Sequence, residues 1–361
     1  MRLCSTIICS PDEYSALYFA SVRAKLVADV IGPKRILPFY AWLLLFYSAW
    51  VVLVFYGGYL ETVLLHWPMA LAMALGSYVA GSTPMGGGTV GFPVLVLLMD
   101  LPATLGRDFS FAIQAVGMTS ASIYILCSRQ ELEWPMLRAA IPGALIGTPL
   151  GIIFIAPLAS DLFIKLLFAS MWCSFGLLHL RRINEITSYE GMTPHDISFD
   201  HKVGFAVGLL GSMTIASITG VGIDMMIYMV LVLWCHADLK IAIPTSVVLM
   251  AFTSLVGISA KLLIGDLQAG TFENWLAAAP VVALGAPFGA LVVSKIGRRP
   301  TLVVVSLLCV AQFVWTLVHE RADLTLWNVA AALLGVVLFL LIFQDMYRHG
   351  YRLARRKATT H

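Results

Sequence analysis

Apolar residues run along this chain in long unbroken blocks and do not alternate with polar ones. Blocks of the length that spans a bilayer, about 20 residues, fall at 38–56, 67–99, 109–127, 136–157, 161–180, 203–234, 241–263, 275–296, 301–318 and 325–345. Eight of these predict one helix each. The other two, 67–99 and 203–234, are longer and are broken near the middle. The first break reads Ser82-Thr83-Pro84-Met85-Gly86-Gly87-Gly88-Thr89 and the second Ser217-Ile218-Thr219-Gly220-Val221-Gly222-Ile223-Asp224. Each glycine costs about 1 kcal/mol in a helix interior, so both breaks predict unwound chain. At membrane depth, unwound backbone is tolerated only inside protein or beside a water-filled cavity.

Composition supports a membrane reading. Sixty per cent of the 361 residues are apolar, 12% are charged and the mean hydropathy is +0.88, whereas soluble domains carry about 25% charged residues. The expected fold is an all-α polytopic protein with the lipid bilayer as its main partner. A net charge of +3 gives no footprint for nucleic acid. The six cysteines form no CxxC pair and the eight histidines no HExxH or H-x3-H pattern, so neither a metal nor a cofactor is expected. A phosphate-binding GxxxxGK[ST] loop is also missing, which argues against ATP drive by this chain. Residues 1–36 do not read as a cleaved signal. They are expected to be a cytoplasmic tail with an amphipathic stretch over 13–30, which fits a bacterial inner membrane.

The two halves of the chain repeat. AAIPGALIGTPLG (139–151) and AAAPVVALGAPFG (277–289) are identical at six of thirteen positions, and at nearly the same offset Asp108-Phe109-Ser110 falls on Pro244-Thr245-Ser246, with Gly86 on Gly222. Charge then chooses between two topologies. If both broken blocks were full crossings, Arg129, Arg138, Arg181, Arg182 and Lys202 would all face outside, against the positive-inside rule. If both blocks are re-entrant hairpins, these residues move inside with the basic tail Arg348–Lys357, and the loops 57–66 and 264–274, which hold no Lys or Arg, fall outside. The predicted plan is therefore a cytoplasmic tail (1–36), an extra helix and loop (37–66), repeat 1 (67–180), a cytoplasmic linker (181–202), repeat 2 (203–318), and an extra helix with a basic tail (319–361). Both termini are cytoplasmic. Each repeat holds three spanning helices and a broken hairpin, and the odd crossing number makes the repeats inverted. Inverted repeats with breaks at matching positions point to a transporter's binding site.

The Gly-Gly-Gly break followed by Phe92-Pro93, its partner Ser217-x-Thr-Gly-x-Gly222, and the Thr245-Ser246 pair resemble the TauE/SafE sulfite exporter family, also called the 4-toluene sulfonate uptake permease family. The resemblance covers about 67–318. It implies a transporter of sulfite, sulfonates, sulfoacetate or similar organic anions. Ile223 and Asp224 depart from the family's tendency to carry further glycines there, and Asp108-Phe109-Ser110 stands where a Gly-Thr-Ser pattern is common.

The breaks are the candidate substrate site. Glycine lets backbone N–H groups approach a ligand closely, and half-helices starting near Val90 and Met225 would aim their N-termini at it, a ready anion site. The candidate residues are Ser82, Thr83, Gly86, Gly87, Gly88, Thr89, Ser217, Thr219, Gly220 and Gly222, with Ser110, Thr245 and Ser246 expected to open the helices that follow; Gln114 lies one turn beyond Ser110. The bland readings are tight helix packing for the glycines and N-capping for the hydroxyls. Gly143, Gly147 and Gly151 read as a packing stripe, Pro149 and Pro287 as kinks, and Trp42, Trp67, Trp134, Trp275 and Trp327 as interfacial belt residues. Arg107, Asp108, Lys165, Lys240 and Lys261 are expected to snorkel. Asp224 cannot, because it lies at the centre of a broken block, and it is the candidate for coupling to protons: ionised it competes with an anion for the same N–H groups, protonated it does not. An intramembrane protease is disfavoured by the lack of a GxGD motif, and a serine enzyme by the lack of GxSxG. A non-transporting membrane scaffold is the alternative, but it has no need of symmetric breaks.

Overall fold

A computed structural model describes residues 35–193, 196–296 and 298–358. The amphipathic stretch expected over 13–30 lies outside the described residues. All regular structure described is helical: α1 (Leu37–Tyr56), α2 (Leu60–Leu65), α3 (Trp67–Ser82), α4 (Gly88–Leu98), α5 (Ala103–Cys127), α6 (Trp134–Leu158), α7 (Asp161–Ile186), α8 (Ile197–Thr219), α9 (Ile223–Trp234), α10 (Leu239–Ile264), α11 (Thr271–Ile296), α12 (Arg299–His319) and α13 (Leu326–Ala358). Among the described residues nine helices are long and apolar enough to cross a membrane. This is an all-α polytopic membrane protein.

Several boundaries follow from local chemistry. Ser160 caps α7 by accepting from the Phe163 N–H (3.3 Å), Asp238 caps α10 by accepting from Lys240 N–H (2.8 Å), and Gly265 ends α10 in the left-handed region at φ 75°. Proline leaves its mark twice. After Pro93 and again after Pro149 the helix widens into a π turn, at Val94–Leu98 and Gly151–Ile155, which accommodates the missing N–H donor. The kink expected at Pro287 is not a break, since α11 runs on through it. The loop expected at 57–66 contains the short helix α2, and the segment expected as a basic tail continues α13 as far as Ala358.

Both long broken blocks are hairpins. In the first, a Cβ on Gly76 would lie 3.1 Å from Val90 Cβ, and one on Gly87 would lie 3.6 Å from Ala80 Cβ, so α4 folds back along α3. In the second, a Cβ on Gly222 would lie 2.8 Å from Ile215 Cγ2, and one on Gly211 2.7 Å from Ile223 Cδ1. The open end of this hairpin is tied by Thr193 N–H donating to Cys235 O (2.9 Å), Asp238 N–H donating to Gly191 O (2.6 Å) and the Phe199 ring against Trp234 (5.3 Å). That end also gathers Arg129, Lys240, Arg298 and Arg299 around a cleft of about 820 Å³. The opposite end gathers Tyr59 against Phe272 (5.3 Å), His319 against Asp100 (2.8 Å), and Lys165 between Asp161 and Glu320 (3.0 and 2.9 Å). Asp100 directly follows α4, so the two hairpins open towards opposite ends.

Two stripes of small residues seat these hairpins. On α6, side chains added at Gly143, Gly147 and Gly151 would strike the backbone of Phe205, Leu209 and Met213 on α8; in return Gly204 and Gly208 lie against the carbonyls of Met136 and Ala140. On α11, Gly285 meets the Ser77 hydroxyl and Gly289 the Tyr78 carbonyl of α3, while Gly81 meets the Ala286 carbonyl. Each stripe therefore packs on the hairpin from the other half of the sequence. Lipid gives helices no hydrophobic reason to associate, so such close approach carries the assembly. Gly147→Ala is expected to destabilise the fold by about 1–3 kcal/mol, as overpacking does. Gly335→Ala, whose Cβ would sit an ordinary 3.4 Å from Ser170 Cβ, is expected to be neutral. Thermal unfolding in detergent checks the pair; equal effects would remove the stripe from the account.

Where α6 and α8 begin, Glu133 and Asp200 are both buried. Burial, and then the Asp200 charge, push the Glu133 carboxyl up from 4.5 to about 7. The folded protein thus favours protonated Glu133. Its contribution is fully present below the unfolded value of 4.5 and is lost as pH rises through about 7, because the unfolded chain gains stability from ionisation first. Glu133→Gln is expected to remove this part of the pH dependence; melting curves of both proteins across that interval test it, and parallel curves would refute it.

Candidate functional site

The tips of the two hairpins meet. Tip 1 leaves α3 at Thr83, which is extended (φ −136°, ψ 167°), and re-enters helix at Gly88. Tip 2 turns at Gly220 (φ 78°) and Gly222 (φ 103°), both in the left-handed region that glycine adopts without strain. The half-helices start at Gly88 and Ile223, each two residues earlier than Val90 and Met225. Gly88 lies so close to Val221 and Ser110 that a Cβ would overlap both, and Gly220 is equally tight against the Arg107 carbonyl and Ser110. Two tips and one face of α5 therefore share a single crossing point.

Gln114 connects them. Its Nε2 donates to Ser110 O (2.9 Å) and to Gly220 O (3.1 Å), and its Oε1 lies against Gly86 without a hydrogen-bond donor. Asp224 is the second anchor. Its Oδ1 accepts from Gly222 N–H (3.2 Å) and Met225 N–H (2.9 Å), while Oδ2 is turned towards Gly86, where a Cβ would lie 3.2 Å away. The carboxylate thus already occupies the N-terminal N–H groups of α9, where the helix dipole favours negative charge. A void of about 10 Å³ beside Gly87, Ser77, Gln114 and Ala286 is at the lower limit for one water. The tips are closed on each other.

The hydroxyls are tied back to their own helices. Ser82 donates to Tyr78 O (2.7 Å), Thr83 to Val79 O (2.7 Å), Ser217 to Met213 O (2.6 Å), and Thr219 Oγ1 lies 2.8 Å from Ile215 O and 2.9 Å from Val221 O. Thr89 accepts from the Trp172 indole N–H (3.1 Å). Ser110, Thr245 and Ser246 do not open their helices. Helices α5 and α10 start at Ala103 and Leu239, with Pro102 and Asp238 at the cap positions, and the three hydroxyls donate within the helix to Gly106 O, Ile241 O and Ile243 O. Ser110 is at the crossing; the Thr245 hydroxyl instead accepts from Glu133 N–H (2.9 Å) at the start of α6. The snorkelling expected of Arg107, Asp108 and Lys261 is also overturned, since all three are buried in one ion cluster.

The sequence reading missed the wall on α7. Phe92, Phe168 and Trp172 stack in a ladder with centroids 4.4 and 4.2 Å apart. A Cβ on Gly222 would lie 3.2 Å from the Trp172 ring and 2.8 Å from Met171 Cε, so this wall touches both tips. Trp172 lies mid-block, unlike the tryptophans at block ends, and a buried indole N–H needs a partner. That was the available signal.

Closed helical hairpins that open towards opposite ends and meet at glycine tips define a membrane transport architecture. The chain belongs to the family described as sulfite exporter TauE/SafE, whose model matches residues 69–316. It is therefore a membrane transport protein of the anion-exporter type. No curated protein and no solved structure matches the chain.

The crossing makes one sharp prediction. Gly86→Ala would drive a methyl into Gln114, whereas a Cβ on Gly87 would meet Met73 Cε at 3.2 Å, a flexible end that can yield. Gly86→Ala is expected to cut transport at least about tenfold through misplaced groups, with Gly87→Ala within about twofold of wild type. Vesicle flux normalised to inserted protein measures it. Equal loss in both variants would mean that the breaks matter only as helix interruptions.

Proposed function

We propose that the protein is a secondary transporter of a small sulfur oxyanion or organic anion of the sulfite, sulfonate and sulfoacetate class. The substrate is held by backbone amides and hydroxyls at the two tips. The carrying observation is the meeting of two unwound, glycine-built tips against Gln114 and the buried carboxylate of Asp224. Backbone N–H groups at a helix start hold an anion without requiring a lysine. Binding requires the tips to part and the Asp224 carboxylate to give up the N–H groups of Gly222 and Met225. The matched stripes and opposed hairpins support an inverted duplication over 67–180 and 203–318. Alternating access then follows from one hairpin and its seat moving against the other.

The basic cleft lined by Arg129, Lys240, Arg298 and Arg299 suits the cytoplasmic end, where it concentrates anions before they reach the tips. This orientation places both termini inside, in a bacterial inner membrane. The test is flux of labelled sulfite, an alkyl sulfonate and sulfoacetate across vesicles holding the purified protein. Transport of at least one above empty vesicles is expected. No flux of any, from a protein shown to be folded, would favour the scaffold.

Asp224 makes the same site sensitive to protons. Ionised, it competes with the substrate for the same N–H groups; protonated, it releases them, so proton and anion travel together. Asp224→Asn imitates the protonated form in charge. It is expected to bind substrate and to lose the pH dependence of transport. A variant that keeps the wild-type pH profile would leave Asp224 as a helix-start ligand and nothing more.

A further inference from the structure

At the end opposite the basic cleft, four charged side chains form one cluster. Arg107 and Asp108 come from α5 and Lys261 from the last turn of α10; all three are at most 4% exposed. Asp108 Oδ1 bridges the two cations, at 2.9 Å from Arg107 Nε and 3.4 Å from Lys261 Nζ, and its Oδ2 accepts from the Gln268 N–H (3.1 Å). Asp266 completes the set from the loop between α10 and α11. Its Oδ2 lies 2.6 Å from Lys261 Nζ, its backbone carbonyl 2.9 Å from the same nitrogen, and its side chain is 55% exposed.

Three features distinguish this cluster from a simple structural staple. Burying cations is expensive, and an apolar contact of the same size would often serve stability better. Arg107 engages only Nε, so the two terminal nitrogens of its fork have no acceptor among the described residues; that fork matches an oxyanion in two parallel hydrogen bonds. The loop carrying Asp266 is bounded by Gly265 (φ 75°) and Gly270 (φ 91°), two positions where backbone can turn freely. The cluster also connects to the crossing, because the Arg107 carbonyl packs against Gly220 and Ser110 and Gln114 follow on α5 at one-turn spacing.

We infer that Arg107 and Lys261 form an outer binding site for a small oxyanion on its way to or from the tips, and that the Asp266 carboxylate fills the Lys261 half of that site in the closed conformation. Asp108 is the permanent counter-ion that holds both cations in place. Asp266 is the exchangeable one, since it alone is exposed and loop-borne. When the loop lifts, the substrate anion takes the position its carboxylate leaves. This rests on the transport reading for the identity of the anion, but the site itself can be tested by binding alone.

Sulfite binding to the full chain in lipid nanodiscs is the measurement, with dimethyl sulfone as a neutral control. Asp266→Asn removes the competing charge and is expected to tighten sulfite about tenfold, the size of one released charge-assisted hydrogen bond. Adding Lys261→Gln should abolish that gain, Asp266→Glu should restore wild-type affinity, and dimethyl sulfone should not discriminate among the variants. A structural staple predicts lower stability without tighter binding. Unchanged, weaker or absent sulfite binding by folded Asp266→Asn would overturn the site. If vesicles move no anion while Asp266→Asn binds sulfite tightly through Lys261, the site stands and the transport reading falls. If vesicles carry sulfite and Asp266→Asn binds it no better than wild type, the transport reading stands and the site falls.

Discussion

Backbone-to-backbone packing along two glycine stripes sets the position of everything else. Helix α6 meets α8 through Gly143, Gly147 and Gly151, and α11 meets α3 through Gly285 on the Ser77 hydroxyl and Gly289 on the Tyr78 backbone, with no room for a side chain at any of these glycines. A larger residue at any of these places would push a hairpin outward by the width of a methyl or more. The tips at the far ends of those hairpins would then no longer meet. Because a soluble core's hydrophobic drive is missing between helices in lipid, contact distance takes over as the organising term. The stripes therefore fix the relation between the two tips, which lie directly beyond them: Gly151 itself packs against Ser217.

Once the tips are held together, their chemistry becomes a question of which groups satisfy the unwound backbone. Interrupting a helix inside a membrane leaves N–H and C=O groups that lipid cannot satisfy. The chain answers internally. Thr219 folds onto the turn at Gly220, Gln114 reaches across from α5 to the Gly220 carbonyl, and Asp224 closes the N–H groups at the start of α9. Near the start of the same helix α5, Asp108, together with Asp266 from the loop after α10, does the same for Arg107 and Lys261. In both places a carboxylate of the protein satisfies the N–H groups or cations beside it. A closed transporter that carries its own anions avoids burying uncompensated N–H groups and cations.

Much of this was legible in the sequence. Glycine and proline announce where a helix cannot continue, so Gly86 to Gly88 and Gly220 to Gly222 located both breaks, and the charge distribution favoured hairpins over crossings. The small-residue stripe was legible too, although not its partner, because packing across the two halves is a tertiary fact. Ser110, Thr245 and Ser246 were misplaced for a definable reason. Hydropathy started their helices at 109 and 241, since Arg107, Asp108 and Lys240 look like loop residues. Ion pairing makes the first two compatible with burial, and the helices begin upstream at Ala103 and Leu239. The Arg107–Asp108–Lys261 cluster was invisible because Lys261 is far in the chain from the adjacent Arg107 and Asp108, and each alone reads as a snorkelling side chain. Trp172 was hidden by lying inside an ordinary apolar block.

The two hairpins are alike in plan and unlike in mechanics. The first arm of hairpin 1, α3, is a regular 16-residue α-helix, and its seat α11 is α-helical from Thr271 to Ile296. The first arm of hairpin 2 is different: ten of its residues, Val207–Ala216, are wound as a π-helix, and the π turn of α6 at Gly151–Ile155 packs on it where Gly151 meets Met213. π-helical segments are rare and recur at functional positions. A slip between π and α winding shifts the residues beyond it by a fraction of a turn, and beyond Ala216 lie Thr219, Gly220, Gly222 and Asp224. The π winding of hairpin 2 therefore lies in its first arm, α8, directly before the tip that leads to Asp224, whereas the first arm of hairpin 1 is regular α-helix up to Ser82. On the proposed transport reading, the motion that frees the N–H groups of Gly222 and Met225 falls in hairpin 2, where α8 carries the π winding, beside the regular helices α3 and α11.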